Sequence, residues 1–202
     1  MAKYFVTGIG TGIGKTLVSA ILTEKLEADY WKPIQSGDLD ISDSLTIQQL
    51  ITNKKTFIYP ESYQLNRPLS PHLSAKLDNI EIELAEIKTP ETDNNLIIEG
   101  AGGLMVPLNE KELLIDLIKA LNVEVILVSQ NYLGSINHTL LSVSLLNQYN
   151  IAIKGIIFNG EENLETQRYI LQYTNVNYLG NIPQFENVNK ENIKRSGDLL
   201  SL

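Results

Sequence analysis

Cysteine is absent from the chain. That excludes disulfides and thiolate metal sites. Histidine is nearly as scarce: His72 and His138 are the only two, and they lack the paired spacing of a zinc site, so a structural role is the simpler expectation for each. Positive charge is in the minority, with 16 Lys and Arg against 24 Asp and Glu and a formal net charge of −8. Such a balance disfavours non-specific nucleic-acid binding. No apolar run approaches the roughly 20 residues needed to cross a bilayer. Met1-Ala2-Lys3 leads at once into an apolar segment and leaves no room for a signal peptide. The expectation is a cytoplasmic protein with neither a membrane nor a nucleic acid as partner. Repeats, low-complexity tracts and linkers are also missing, so residues 1–202 are expected to form one domain.

Short apolar strands alternate with amphipathic helical stretches, the pattern of an α/β fold with a mostly parallel sheet and helices on both faces. Strands are expected at 3–7, 30–34, 95–99, 123–129, 152–158 and 176–179. Helices are expected at 15–27, 43–51, 80–87, 111–121, 136–148 and 164–173. The stretch 53–71 holds three prolines and little periodicity, which predicts a long loop.

After the apolar Tyr4-Phe5-Val6 comes Thr7-Gly8-Ile9-Gly10-Thr11-Gly12-Ile13-Gly14-Lys15-Thr16. Glycine interiors cost stability, so four glycines in so short a run imply that the backbone approaches something closely. A strand, a glycine-rich turn, Gly-Lys-Thr and then a helix form the context of a phosphate-binding loop. Backbone N–H groups from Thr11 to Thr16 would cradle a phosphate, helped by the positive end of the following helix. Lys15 would bring an ammonium to the β and γ oxygens, and Thr16 a hydroxyl to Mg²⁺. Five residues separate Gly8 from Gly14, one more than the usual spacing, and Ile9 stands where the first glycine is expected. This longer loop indicates a particular branch of the P-loop proteins.

Other residues could complete the site. Glu99 closes the apolar Leu96-Ile97-Ile98 and precedes Gly100-Ala101-Gly102-Gly103. A carboxylate at the carboxyl end of a buried strand lies at the edge where open α/β sheets bind ligands, and it suits Mg²⁺. Lys32 lies in Trp31-Lys32-Pro33-Ile34-Gln35-Ser36-Gly37, where Pro33 removes a backbone donor and turns the chain out of the sheet. It is either a surface lysine or a second cation beside the γ-phosphate. Asp43, in Ser42-Asp43-Ser44 at an expected helix start, is either a cap or a ligand.

With these pieces in place the chain resembles the dethiobiotin synthetase family nearly end to end. The segments that carry the resemblance are Tyr4-Phe5-Val6-Thr7-Gly8 with Gly14-Lys15-Thr16, Lys32-Pro33 with Ser36-Gly37, and Ser42-Asp43. Ser70-Pro71-His72, Glu99 to Gly103, Pro107-Leu108, Leu133-Gly134 with Ile136-Asn137-His138, Asn159, and Leu179-Gly180 with Ile182-Pro183 follow in order. The resemblance implies a homodimer that uses ATP, Mg²⁺, CO₂ and 7,8-diaminononanoate. It implies catalytic roles for Lys15 and Lys32, and Mg²⁺ held by Thr16, Asp43 and Glu99. The ATP site would comprise Gly12, Ile13, Gly14, Lys15, Thr16 and Leu17 with Asp43, Glu99, Gly100, Ala101 and Gly102. Asn159, Gly160 and Ile182-Pro183-Gln184 would surround adenine. Ser36 would touch the diamine, while Gly134 and Asn137 of a second subunit, with Tyr169 nearby, would receive the substrate carboxylate. Gly12 stands where relatives often carry glutamate, and Gln184 where they often carry tryptophan.

Rival readings are available. Partition or membrane-positioning ATPases share the long loop, but they usually carry a lysine five residues before the P-loop lysine, and here that residue is Gly10. Ring-amidating ligases with a glutamine-hydrolysing domain need a catalytic cysteine. A non-catalytic nucleotide-binding module differs only in what it fails to turn over.

Overall fold

The expected alternation closes into a sheet of seven parallel strands in the computed structural model, which describes residues 1–202. In chain order the first elements are β1 (Lys3–Gly8), α1 (Lys15–Leu26), β2 (Asp29–Trp31), β3 (Ile34–Ser36), α2 (Asp43–Leu50), β4 (Ile58–Tyr59), β5 (Tyr63–Leu65) and α3 (Pro71–Leu77). They are followed by β6 (Leu96–Gly103), α4 (Leu114–Leu121), β7 (Glu124–Gln130), α5 (Ser135–Gln148), β8 (Ile153–Asn159), α6 (Leu164–Thr174), β9 (Tyr178–Ile182) and α7 (Lys190–Ser196). The sheet order is β4-β2-β6-β1-β7-β8-β9, which places β1 between β6 and β7 at the centre.

Strand side chains alternate between faces, and two separate cores follow from that alternation. Phe5, Ile98, Leu127 and Phe158 point to one face, where they meet Leu114 and Ile118 of α4 and Val143 and Leu146 of α5. Their neighbours Val6, Ile97, Val128 and Ile157 point to the other, against Val18, Ile21 and Leu22 of α1. Both faces are therefore covered, and each fully buried large apolar side chain contributes about 1.5–3 kcal/mol.

Several expectations need correction. The strand expected at 30–34 is broken at Lys32-Pro33. β2 stays in the main sheet, whereas β3 leaves it to pair with β5 in a two-stranded sheet. Pro33 has no N–H to continue the ladder. The stretch 53–71 is not a plain loop: β4 adds an edge strand beside β2, β5 pairs with β3, and Ser70-Pro71 starts α3 with proline in its first turn. The helix expected at 80–87 is absent apart from a 3₁₀ turn at Leu84–Glu86. Ile82 and Ile87 are buried while Ile80 is exposed, the mark of a chain laid along the core rather than of one helical face. Glu99 does not end its strand, because β6 continues through the glycines to Gly103. α7 was not foreseen; Asn189 caps it by accepting from the Asn192 N–H.

Candidate active site

The chain leaves β1 at Gly8, loops over the carboxyl edge of the sheet and enters α1 at Lys15. Gly12 (φ 73°) and Gly14 (φ 89°) adopt the left-handed region that glycine tolerates best. A Cβ on Gly14 would also collide with the Asn159 carboxamide, whereas one on Gly12 would meet nothing. Beside the loop lies a cavity of about 750 Å³ lined by Gly12, Gly14, Lys15, Thr16, Lys32, Ser36, Asp43, Glu99, Gly100, Ala101 and Gly102, among others. Segments far apart in sequence thus converge where open α/β sheets bind ligands.

Lys15 is buried, with only 8% of it accessible. Its ammonium donates to the Gly10 carbonyl at 3.1 Å. Burial lowers its pKa to about 8; the Glu99 carboxylate opposes that shift and the Lys32 ammonium adds to it.

Three oxygens meet at the mouth of α1. The Thr16 hydroxyl lies 2.8 Å from Asp43 Oδ1 and 2.8 Å from Glu99 Oε1. A hydroxyl has one proton and can donate to only one of them. The two carboxylates are brought together around a group that cannot satisfy both, and the deficit is positive charge. Lys32 supplies only part of it, one positive charge against two negative: it pairs with Asp43 and lies 3.6 Å from Glu99 Oε1, with its side chain almost wholly buried. A cluster of hard oxygens short of positive charge suits a Mg²⁺ ion. No cluster of three or more His, Cys, Asp or Glu could hold a metal, so two carboxylates and a hydroxyl would leave positions for phosphate oxygens and water.

Local structure explains how each group is presented. Ser42 is the cap of α2, its Oγ accepting from the Leu45 N–H at 3.3 Å, so the Asp43 carboxylate is spared for the site. Gln35, not singled out from the sequence, is buried; it donates to the Gly37 carbonyl at 2.9 Å and accepts from the Asp43 N–H at 3.4 Å. Tyr30, also missed, is fully buried and donates to Glu99 Oε2 at 2.9 Å. Burial first, then the Glu99 charge, pushes its phenol well above the ordinary value, so it keeps its proton. The Ser36 hydroxyl lines the cavity and has no hydrogen-bond partner in the protein.

The other expected residues lie elsewhere. Ile13 is buried in the core on the α1 side, and its carbonyl accepts from Asn159 Nδ2 at 2.9 Å. Leu17 packs against the same core and does not line the cavity. Gly160, Pro183 and Gln184 line a neighbouring cleft, while Ile182 is buried beneath it and accepts from the Gly160 N–H at 2.8 Å. Gly134 caps α5 and lines a third cleft with Asn131 and Asn163. Asn137 is exposed on α5, and Tyr169, half exposed on α6, stacks on Tyr173. None of these three lines the main cavity of the same chain.

A parallel sheet with a glycine-rich loop and Lys-Thr at the head of its first helix defines a P-loop nucleotide-binding protein. A family model described as AAA domain matches residues 2–192. The chain belongs to the dethiobiotin synthetase family: it is 52% identical over 192 residues to the ATP-dependent dethiobiotin synthetase BioD of Cytophaga hutchinsonii, covering 95% of this chain and 93% of that one. It is 52% identical to the protein of the same name from Christiangramia forsetii (90% and 87% covered), and 43% identical to that of Agrobacterium fabrum (94% and 89%). Among solved structures the fold is similar to the cell division ATPase MinD of Pyrococcus furiosus, with a TM-score of 0.67 at 13% identity over 98% of each chain. A ParA family ATPase of Chlorobium tepidum gives a TM-score of 0.60 at 15% identity, covering 98% and 91%. These two share the fold. No helix is long and apolar enough to cross a membrane.

Proposed function

We propose that the protein is an ATP-dependent dethiobiotin synthetase that joins CO₂ to 7,8-diaminononanoate and closes the ureido ring, releasing ADP and phosphate. The observation that carries this reading is the convergence of Lys15, Lys32, Thr16, Asp43, Glu99 and the unpartnered Ser36 hydroxyl on one cavity, in a chain 52% identical to synthetases of that name.

One amine of the substrate adds to CO₂ and loses a proton, giving a carbamate. A carbamate oxygen attacks the γ-phosphorus, the bond to the β–γ bridging oxygen breaks, and ADP leaves. The second amine then attacks the carbonyl carbon of the mixed anhydride, loses a proton and expels phosphate. No protein nucleophile is required, so the chain's work is to position reactants and neutralise charge. Lys15 and Lys32 would face the γ-phosphate and the carbamate, and backbone N–H groups from Thr11 to Thr16 would hold the β-phosphate. Mg²⁺, held by Thr16, Asp43 and Glu99, would neutralise phosphate charge. Ser36 would hydrogen-bond the diamine end. One Asn159 amide N–H is given to the Ile13 carbonyl, and its oxygen would accept from an exocyclic amino group such as that of adenine, with Gly160, Ile182, Pro183 and Gln184 beside the base.

Gly134, Asn137 and Tyr169 lie outside the main cavity of their own chain, which supports a homodimer in which they receive the substrate carboxylate of the other subunit. We place the enzyme in the cytoplasm. The test is incubation with ATP, bicarbonate and the diamine, followed by phosphate release and product mass. Diamine-dependent phosphate together with dethiobiotin supports the reading; phosphate release indifferent to the diamine would favour a nucleotide switch instead.

A further inference from the structure

Glu99 is 1% exposed and its two carboxylate oxygens have different neighbours. Oε1 faces Thr16 at 2.8 Å and Lys32 at 3.6 Å. Oε2 accepts from the Tyr30 hydroxyl at 2.9 Å. Strand register creates this second contact. Tyr30 on β2 pairs with Ile97 on β6, and Glu99 is two residues further along the same face of that strand. A long side chain reaches such a diagonal neighbour, whereas a short one does not. Tyr30 is fully buried and does not line the cavity.

From this geometry we infer that Tyr30 is a positioning residue for the cation site: it fixes the Glu99 carboxylate so that Oε1 is presented beside Thr16 and Asp43. Without the phenol, Oε2 would be a buried acceptor with no partner, and the carboxylate would be free to turn towards Lys32 or Thr16 with both oxygens. Partners of this kind set the orientation of a metal ligand, and their removal costs roughly 10–100-fold in metal affinity. The inference rests on the reading of Thr16, Asp43 and Glu99 as the cation ligands.

The experiment measures Mn²⁺ affinity of the ADP complex by electron paramagnetic resonance, alongside ADP binding without metal. It compares wild type, Tyr30→Phe, Glu99→Gln and the double variant. Tyr30→Phe is expected to weaken Mn²⁺ binding about 10–100-fold while metal-free ADP binding stays within about twofold. In the Glu99→Gln background the same change should add little, because the phenol acts through the carboxylate. If Glu99→Gln binds Mn²⁺ as the wild type does, the cation reading fails and takes this inference with it. If Glu99→Gln is weakened but Tyr30→Phe is not, or if the two losses simply multiply, only the role of Tyr30 is overturned. A measurement on the unaltered protein covers the case in which Tyr30→Phe does not fold. No tyrosine lines the main cavity, so in protein labelled with ¹³C at tyrosine Cζ one buried resonance should move when Mg²⁺ joins the ADP complex. An unmoved tyrosine spectrum at that step would overturn the inference.

Discussion

The Lys15 ammonium donates to the carbonyl of Gly10, five residues before it in the same loop, at 3.1 Å. The loop thereby closes on its own lysine, in a place dry enough to bring the pKa down to about 8. Nucleotide phosphates would replace one neutral carbonyl with several negative oxygens and raise that pKa again. Nucleotide binding should therefore take up a proton when the pH is above about 8. ADP affinity is expected to fall roughly tenfold between pH 7 and pH 9, and calorimetry in buffers of different ionisation enthalpy should detect the proton. The sign for stability is opposite. With the folded pKa depressed below the unfolded value of 10.5, the unfolded chain holds the proton longer, so this group adds stability as pH rises from about 8 towards 10.5. A Lys15→Met variant should lose both dependences; a wild-type ADP affinity that is flat from pH 7 to 9 would contradict the assignment.

Lys15→Ala should lower kcat by at least roughly 10²–10³, the range for removing one hydrogen-bond donor aimed at the transition state. The melting temperature should hold or rise, because the side chain is 8% exposed and its burial disfavours the charge it carries. Turnover near the wild-type rate would remove Lys15 from the mechanism. A large loss of melting temperature would show that its contact with Gly10 holds the loop together.

Ser42 and Asp43 are adjacent but should separate cleanly. Ser42→Ala deletes the α2 cap and is expected to cost about 1 kcal/mol of stability with the Mg²⁺ requirement little changed. Asp43→Asn keeps the shape and the cap but removes a charge from the cation site. It should raise the Mg²⁺ concentration for half-maximal rate far more than the diamine KM. Melting curves and Mg²⁺ titrations on both variants decide between the two roles, and a wild-type Mg²⁺ dependence in Asp43→Asn would end its claim as a ligand.

The phosphate loop was legible because all its parts are local: strand, glycines, Lys15, Thr16 and helix follow one another within the first 26 residues. Glu99 and Lys32 were legible by a weaker rule, that polar residues after apolar strand runs gather at the sheet edge. Asp43 could not be separated from a cap until Ser42 was seen to fill that place. Tyr30 was illegible for a different reason. Its contact with Glu99 spans 69 residues of sequence and depends on the register between β2 and β6, which no local pattern encodes. The stretch 80–87 misled because Glu, Leu and Ala are good helix formers, whereas the chain there buries Ile82 and Ile87 along an irregular path with one 3₁₀ turn. The converse error missed α3, since prolines around Ser70-Pro71 read as a loop although proline is favoured in a first turn.

The position of Asn137 leads to the last prediction. It is exposed on α5, away from the cavity that holds Lys15. If both serve catalysis, a two-fold dimer must bring Asn137 of one subunit to Lys15 of the other. Asn137→Asp would repel the substrate carboxylate and Lys15→Ala would stall phosphoryl transfer, so each variant alone should be nearly inactive. Equal amounts unfolded together and refolded should pair at random, making about half of the dimers mixed. In a mixed dimer one site takes both defects and the other takes neither. Activity should then return to roughly a quarter of the wild-type value by that symmetry. Were Lys15 and Asn137 to serve one site within a single chain, every site would carry one defect and nothing would return. Native mass spectrometry must first show that mixed dimers have formed. Their presence without recovered activity refutes the shared site, because no other arrangement of the two residues separates the defects by subunit.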